Sequence, residues 1–223
     1  TLVGVGGSTI SDAARMIAVL MAEGIKTVEQ LRRLGEEQDM MLTPNLDGKE
    51  LPLQVAVPTT LSAGEFNMGG GNILDDRAGH KIRVRHPGLY AHLIVLDPEM
   101  TVGTPDWLWL STGVKALDHC IERLYTTGNQ PAIDAPILSA AEMLFSDLAR
   151  SGESHHDLDA RLRCLMAAWM SMMGAPNFNT GLSHAIGHVI GVRYAVGHGY
   201  TSCVTQPYVM EYNRPVSAAK QAL

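Results

Sequence analysis

Near residue 101 the apolar periodicity of this chain changes, and that change constrains the fold more than any other feature. Up to about Thr101 short apolar runs alternate with segments of helical spacing; from Pro105 onward only long amphipathic stretches follow. Strand-length runs between helices mark a parallel α/β layer, whereas uninterrupted 3.6-residue spacing marks packed helices. Leu51 to Val57 and Leu93 to Leu96 are the buried-strand candidates. Ser11 to Glu23 puts Ala14, Ile17 and Leu20/Met21 on one helical face and ends at Gly24, a residue suited to a left-handed cap. Further helices are predicted over about Pro105 to Tyr125, Pro131 to Ser151, His156 to Met173 and Gly181 to Tyr194. The expected organisation is an α/β domain over residues 1–101 followed by an all-helical domain over 102–223. The opening inside an apolar run at Thr1-Leu2-Val3 and the uncapped, helix-favouring stretch Val216 to Leu223 raise the expectation of truncation at both ends.

Charge narrows the partners. Lys+Arg 17 against Asp+Glu 23 gives a formal net charge of -6, a poor balance for gripping a polyanion, so nucleic acid is not an expected partner. No apolar run approaches the roughly 18 to 20 residues that span a bilayer, and the start lacks the basic segment of a secretory signal. The expected setting is cytoplasmic, without a membrane partner. Cys120, Cys164 and Cys203 are odd in number, far apart and set in apolar stretches, so they read as reduced core residues.

Three stretches carry possible chemistry. Gly4-Val5-Gly6-Gly7-Ser8-Thr9-Ile10-Ser11-Asp12 places glycines between a strand and a helix, where the backbone can approach a phosphate and the helix N-terminus offers unpaired N–H groups. The alternative is a tight turn with Thr9 or Ser11 as an ordinary N-cap. Pro58-Thr59-Thr60-Leu61-Ser62-Ala63-Gly64-Glu65 sets hydroxyls at a strand end, where open α/β sheets bind ligands; equally, it is a turn rich in hydroxyl caps. Finally, His119, His184, His188 and His198 all fall in the helical half. His184 and His188 share a helix face, and Gly187 and Gly191 permit close approach to it. Converging imidazoles suit zinc, iron or a proton relay, against the reading as satisfied core groups. Lys115 lies one turn before His119, a position where a solvated lysine is the ordinary case. Met166, Met170, Met172 and Met173 read as core filler.

In order and spacing these pieces resemble the iron-type (group III) alcohol dehydrogenase superfamily, and more closely its maleylacetate reductase-like branch. The most specific stretch is Gly181-Leu-Ser-His184-Ala-Ile-Gly-His188-Val-Ile-Gly191, followed after six residues by His198-Gly199. The glycine turn is similar to that family's pyrophosphate loop, with Ser8 for the third glycine and Arg15 for a lysine, and Pro58-Thr59-Thr60 is similar to its second nucleotide-contacting turn. The resemblance implies a Rossmann-like parallel-sheet domain and a helical domain in a dehydroquinate synthase-like architecture, with the active site in the cleft between them. It implies NAD or NADP as cofactor, contacted by Gly6, Gly7, Ser8, Asp12, Thr59, Thr60, Ser62 and Lys81, a small-molecule substrate, and a homodimer. His119, His184 and His198 would be three of the four ligands of divalent iron or zinc. The fourth, an aspartate four residues before the first histidine, is replaced here by Lys115. Asp118 points roughly 100° away around the helix from His119 and is a poor substitute. Maleylacetate reductase-like proteins also depart at this position and are thought to work without metal. The implied activity is NAD(P)-dependent reduction of a carbonyl or conjugated alkene of a small oxo acid, or alcohol–aldehyde interconversion. The physical reading of the residues adds its own hypothesis: Lys115 stabilises negative charge among His119, His184 and His198 while His188 supplies or relays the proton. Arg83 and Arg85 read as exposed strand charges in preference to carboxylate partners. The rivals are a dehydroquinate synthase-like lyase using NAD transiently and a non-catalytic homologue.

Overall fold

The structure is a computed structural model that describes residues 1–67, 70–75, 77, 80–126, 130–174, 181–194 and 196–222, without the side chains of His80 and Val192. It divides into two units: Thr1–Pro58 with Gly64–Val95, and Thr59–Ala63 with Leu96–Leu223.

In the first unit β1 (Leu2–Gly6), β3 (Gln54–Pro58) and β6 (Leu93–Ile94) form a parallel sheet in the order β1-β3-β6. Register runs from Leu2↔Gln54 to Gly6↔Pro58. The central strand β3 alternates buried and half-buried residues, while Val3, Val5 and Leu93 on the outer strands remain exposed. The expected second buried strand is therefore a two-residue edge. A second sheet joins β2 (Met41–Leu42), β5 (His80–Arg85) and β4 (Gly70–Asp75). Its β4–β5 pair is antiparallel, an addition to the expected parallel layer.

Two helices cover this unit, α1 (Ser8–Glu23) and α2 (Val28–Glu37). Met16, Ala18 and Val19 of α1 pack with Leu31, Leu42, Leu46, Ile82, Val84 and Leu89. Each such aliphatic side chain, fully buried, contributes about 1.5–3 kcal/mol. Gly24 ends α1 at φ 65, as its sequence position predicts. The helix starts three residues earlier than expected, because Gly7 and not Thr9 or Ser11 is the N-cap.

The second unit holds α3 (Asp106–Leu124), α4 (Pro131–Glu153), α5 (Leu158–Met170), α6 (Leu182–Tyr194) and α7 (His198–Gln221). Asp157 accepts the Ala160 N–H and sets the start of α5, two residues beyond the expected one. A buried pillar ties α3, α4 and α5. Trp109 Nε1 donates to Ser151 Oγ at 2.8 Å, and the Arg161 guanidinium lies 4.4 Å over the same indole.

With a glycine on each side of His198, the segment Gly197-His198-Gly199 reads as a turn in sequence, but it is the start of a helix. Gly197 is an N-cap and His198 opens a 24-residue helix. Pro207 and Pro215 inside α7 lack the N–H of a helix interior and so disguise it in sequence. One cysteine also departs from expectation. Cys120 and Cys164 are buried, their thiols pushed up to about 12 and about 11 by burial, but Cys203 is exposed on the outer side of α7. Among the described residues no helix is long and apolar enough to cross a membrane.

Candidate active site

Spacing of three and four residues puts Lys115, Asp118, His119 and Glu122 on one face of α3. All four are buried, Lys115 at 3 % exposure. The lysine is thus not the solvated charge its residue type would suggest. Its Nζ donates to Asp118 Oδ2 at 2.8 Å and lies 2.7 Å from His184 Nδ1. Burial pulls the amine below its usual value, and the Asp118 carboxylate opposes that shift. Burial, followed by the Lys115 charge, lowers His184 to about 2. His119 is held well below its ordinary value, mainly by burial and then by Lys115. His184 is therefore neutral, and an imidazole accepting at Nδ1 carries its hydrogen on Nε2.

The histidines assemble around His184. Ring centroids of His184, His188 and His198 lie 4.8 Å apart in each pairing, and His119 lies 5.6 Å from His184. Small residues make this possible. A Cβ at Gly187 would meet Thr201 Oγ1 at 2.6 Å and the His198 ring at 3.2 Å, and one at Gly199 would meet the Ser111 carbonyl at 2.8 Å. The close approach foreseen at Gly187 is thus made by α7. From the opposite end, Glu122 of α3 accepts the Gly181 N–H at 2.9 Å and the His184 N–H at 3.2 Å. A carboxylate there satisfies orphan donors and complements the dipole of α6, fixing the helix that carries His184 and His188.

The nitrogens of His184, His188 and His198 lie within 4.8 Å of one another. His119, named in the implied ligand set, lies outside that group; its Nδ1 is buried with no hydrogen-bond partner among the described residues. A four-ligand divalent cation does not fit these residues. Asp118, Glu122 and His184 also offer ligand atoms within 4.8 Å of one another. However, Asp118 Oδ2 already accepts from Lys115 and Ser202, both Glu122 oxygens accept N–H groups at the start of α6, and the ammonium engages His184, so a divalent cation would face its repulsion in a poorly screened site.

Asp118 corrects the sequence expectation. The i, i+3 relation turns its carboxylate toward Lys115, and Ser202 Oγ of α7 donates to the same oxygen at 2.6 Å. The role of Asp118 beside Lys115, and the roles of Glu122 and Ser202, were missed by sequence reasoning. A helical wheel centred on Lys115 reaches the first two, while Ser202 has no local signal.

The glycine turn lies in the first unit. Gly6 has φ 152, and a Cβ there would meet Ile10 Cγ1 at 2.5 Å. Gly7 caps α1 without a side-chain bond, and Ser8 opens a first turn with no acidic residue. The positive end of the helix dipole therefore has no acidic residue beside it in the first turn. Asp12 is engaged with Arg15 at 3.3 Å and Asn72 at 3.4 Å, burial raising its carboxyl against the pull of Arg15. Arg15 Nη2 donates to the carbonyls of Gly64, Glu65 and Asn67. Lys81 stands opposite Leu74 on β5, and Arg83 and Arg85 are exposed on the same strand.

Thr59, Thr60 and Ser62 belong to the helical unit. Thr104 Oγ1 donates to the Thr59 carbonyl at 2.7 Å, and the Leu61 N–H donates to Thr112 Oγ1 at 3.1 Å. Thr60 and Ser62 hydroxyls bond each other at 2.9 Å.

Comparison with known proteins gives this geometry a family. The profile described as "Iron-containing alcohol dehydrogenase" matches residues 1–98, and "Fe-containing alcohol dehydrogenase family, C-terminal" matches residues 109–222. The chain belongs to the iron-containing alcohol dehydrogenase family. Curated relatives include Dehydrogenase ALT3 of Alternaria alternata, 33% identical with 95% of this chain and 57% of that protein covered. Another is 4-hydroxybutyrate dehydrogenase of Cupriavidus necator, 34% identical over 95% of this chain and 54% of that protein. The fold is shared with maleylacetate reductase from Agrobacterium tumefaciens at a TM-score of 0.75 and 20% identity, covering 98% of this chain and 53% of that one. The chain spans about half the length of the curated relatives it matches.

Proposed function

We propose that this chain forms part of an NAD(P)-dependent oxidoreductase that reduces a carbonyl, or an alkene conjugated to one, in a small oxo acid, with a lysine ammonium in place of a metal ion. The observation that carries the reading is the buried Lys115 Nζ 2.7 Å from His184 Nδ1, inside a set of four imidazoles. The glycine-capped start of α1, without a side-chain cap bond, supports a dinucleotide pyrophosphate at Gly6, Gly7 and Ser8. Relatives named for 4-hydroxybutyrate and maleylacetate, both carboxylated compounds, support an oxo acid as substrate.

A bound dinucleotide would supply the hydride that the electrophilic carbon accepts. Negative charge then builds on the carbonyl oxygen, and fixed donors stabilise it. Lys115 supplies a positive charge and an N–H, and His184 supplies an Nε2–H. His188 is exposed and its ring lies tilted, 4.8 Å from those of His184 and His198, a position from which it relays the final proton from solvent. Asp12 acts indirectly by holding Arg15, and Thr59, Thr60, Ser62 and Lys81 complete the proposed cofactor contacts. The expected product pair is oxidised nicotinamide and the alcohol or saturated acid.

The test is net oxidation of NADH and NADPH with maleylacetate and short aldehydes. Sustained, stoichiometric oxidation is expected. Product formed with the cofactor returned unchanged would point to lyase chemistry, and failure to bind any dinucleotide would point to a non-catalytic chain.

A further inference from the structure

A lysine amine sits at the end of a flexible four-carbon stem, so an ammonium that is to meet a developing oxyanion has to be held. Lys115 is held from two sides. Asp118 Oδ2 accepts from Lys115 Nζ at 2.8 Å and simultaneously from Ser202 Oγ at 2.6 Å. Asp118 and Ser202 are both fully buried, so no water competes for that oxygen. Ser202 comes from α7, the helix that also brings His198, which ties the lysine to the same framework as the imidazoles. On the other side stands His184 Nδ1 at 2.7 Å. An ammonium has three hydrogens, and among the described residues two of them have these partners.

We infer that Asp118 and Ser202 are positioning residues that lock the Lys115 ammonium against His184 and leave its third hydrogen for the substrate oxygen. The inference rests on the function proposed above. It departs from a purely structural ion pair, because Asp118 and Ser202 then act on turnover only through Lys115.

A double-mutant cycle separates these roles. Wild type, Asp118→Asn, Ser202→Ala, Lys115→Ala and the two doubles with Lys115→Ala are assayed with NADH and NADPH on whichever of maleylacetate, acetaldehyde and propionaldehyde the wild type reduces fastest. Asp118→Asn is expected to lower kcat about 10- to 100-fold and Ser202→Ala about 3- to 10-fold, with the KM for the nicotinamide within about twofold, as loss of charge-assisted hydrogen bonds implies. In the Lys115→Ala background either change should alter kcat by less than about twofold, since neither has anything left to position. Equal losses in both backgrounds would overturn the inference, as would unchanged kcat in both single variants while Lys115→Ala abolishes turnover. Full activity of Lys115→Ala, or no turnover by the wild type, would instead overturn the functional reading and this inference with it.

Discussion

Glu65 offers a prediction whose size can be worked from the structure. Its carboxyl is 3 % exposed, and neither oxygen has a hydrogen-bond partner among the described residues. The nearest cation, Arg15, spends its Nη2 on the carbonyls of Gly64, Glu65 and Asn67. Gln54 Nε2, also without a partner, lines the same cavity of about 10 Å³, near the smallest that holds one water. Burial therefore outweighs the arginine and raises the Glu65 carboxyl from 4.5 to about 7. The folded state binds this proton more tightly than the unfolded state. The associated stability is complete below pH 4.5 and is lost as pH rises through about 7, a change of about 3 kcal/mol. Replacing the residue as Glu65→Gln removes the titration. Urea unfolding at steps between pH 5 and 8 should show the variant gaining about 2.5 kcal/mol on the wild type across that range. Taking the difference between the two proteins cancels every group that titrates alike in both. Parallel curves for both would refute the claim that this carboxyl is neutral in the native state.

Other consequences follow from the helix contacts. Gly199→Ala puts a Cβ 2.8 Å from the Ser111 carbonyl, backbone that cannot rotate away, and should cost about 1–3 kcal/mol in chemical unfolding; a neutral result would contradict the α3–α7 approach. Glu122→Gln removes the charge at the start of α6 and should cost about 1–2 kcal/mol, with faster amide exchange at Gly181 and His184; unchanged exchange would count against the cap. Lys115→Asp restores an anionic ligand and should gain tight zinc or iron, read by metal analysis, whereas a variant that stays metal-free would argue against lysine as the substitute for a cation.

Much of this was legible in the chain. The switch from short apolar runs to helical spacing separates the sheet from the bundle, and Gly24 closes α1 because a left-handed residue is needed there. The four histidines were also legible as a group, since His184 and His188 share a turn. What sequence hid depends on contacts between elements. Tyr, Val and Pro residues along α7 give no clean helical stripe, and a glycine on each side of His198 mimics a turn. Lys115 reads as a surface residue until α6 and α7 close over α3. Ser202 and Asp118 meet across 84 positions, and Glu122 caps a helix that begins 60 residues later.

The central claim is that a buried ammonium does the work of a divalent cation, and the direct measurement is the rate of NADH or NADPH oxidation before and after exhaustive chelation, in wild type and Lys115→Ala. Unchanged wild-type turnover after chelation, with a loss of about 100- to 1,000-fold in Lys115→Ala, is the predicted result. Turnover that chelation abolishes and added iron or zinc restores, with Lys115→Ala still active, would contradict it.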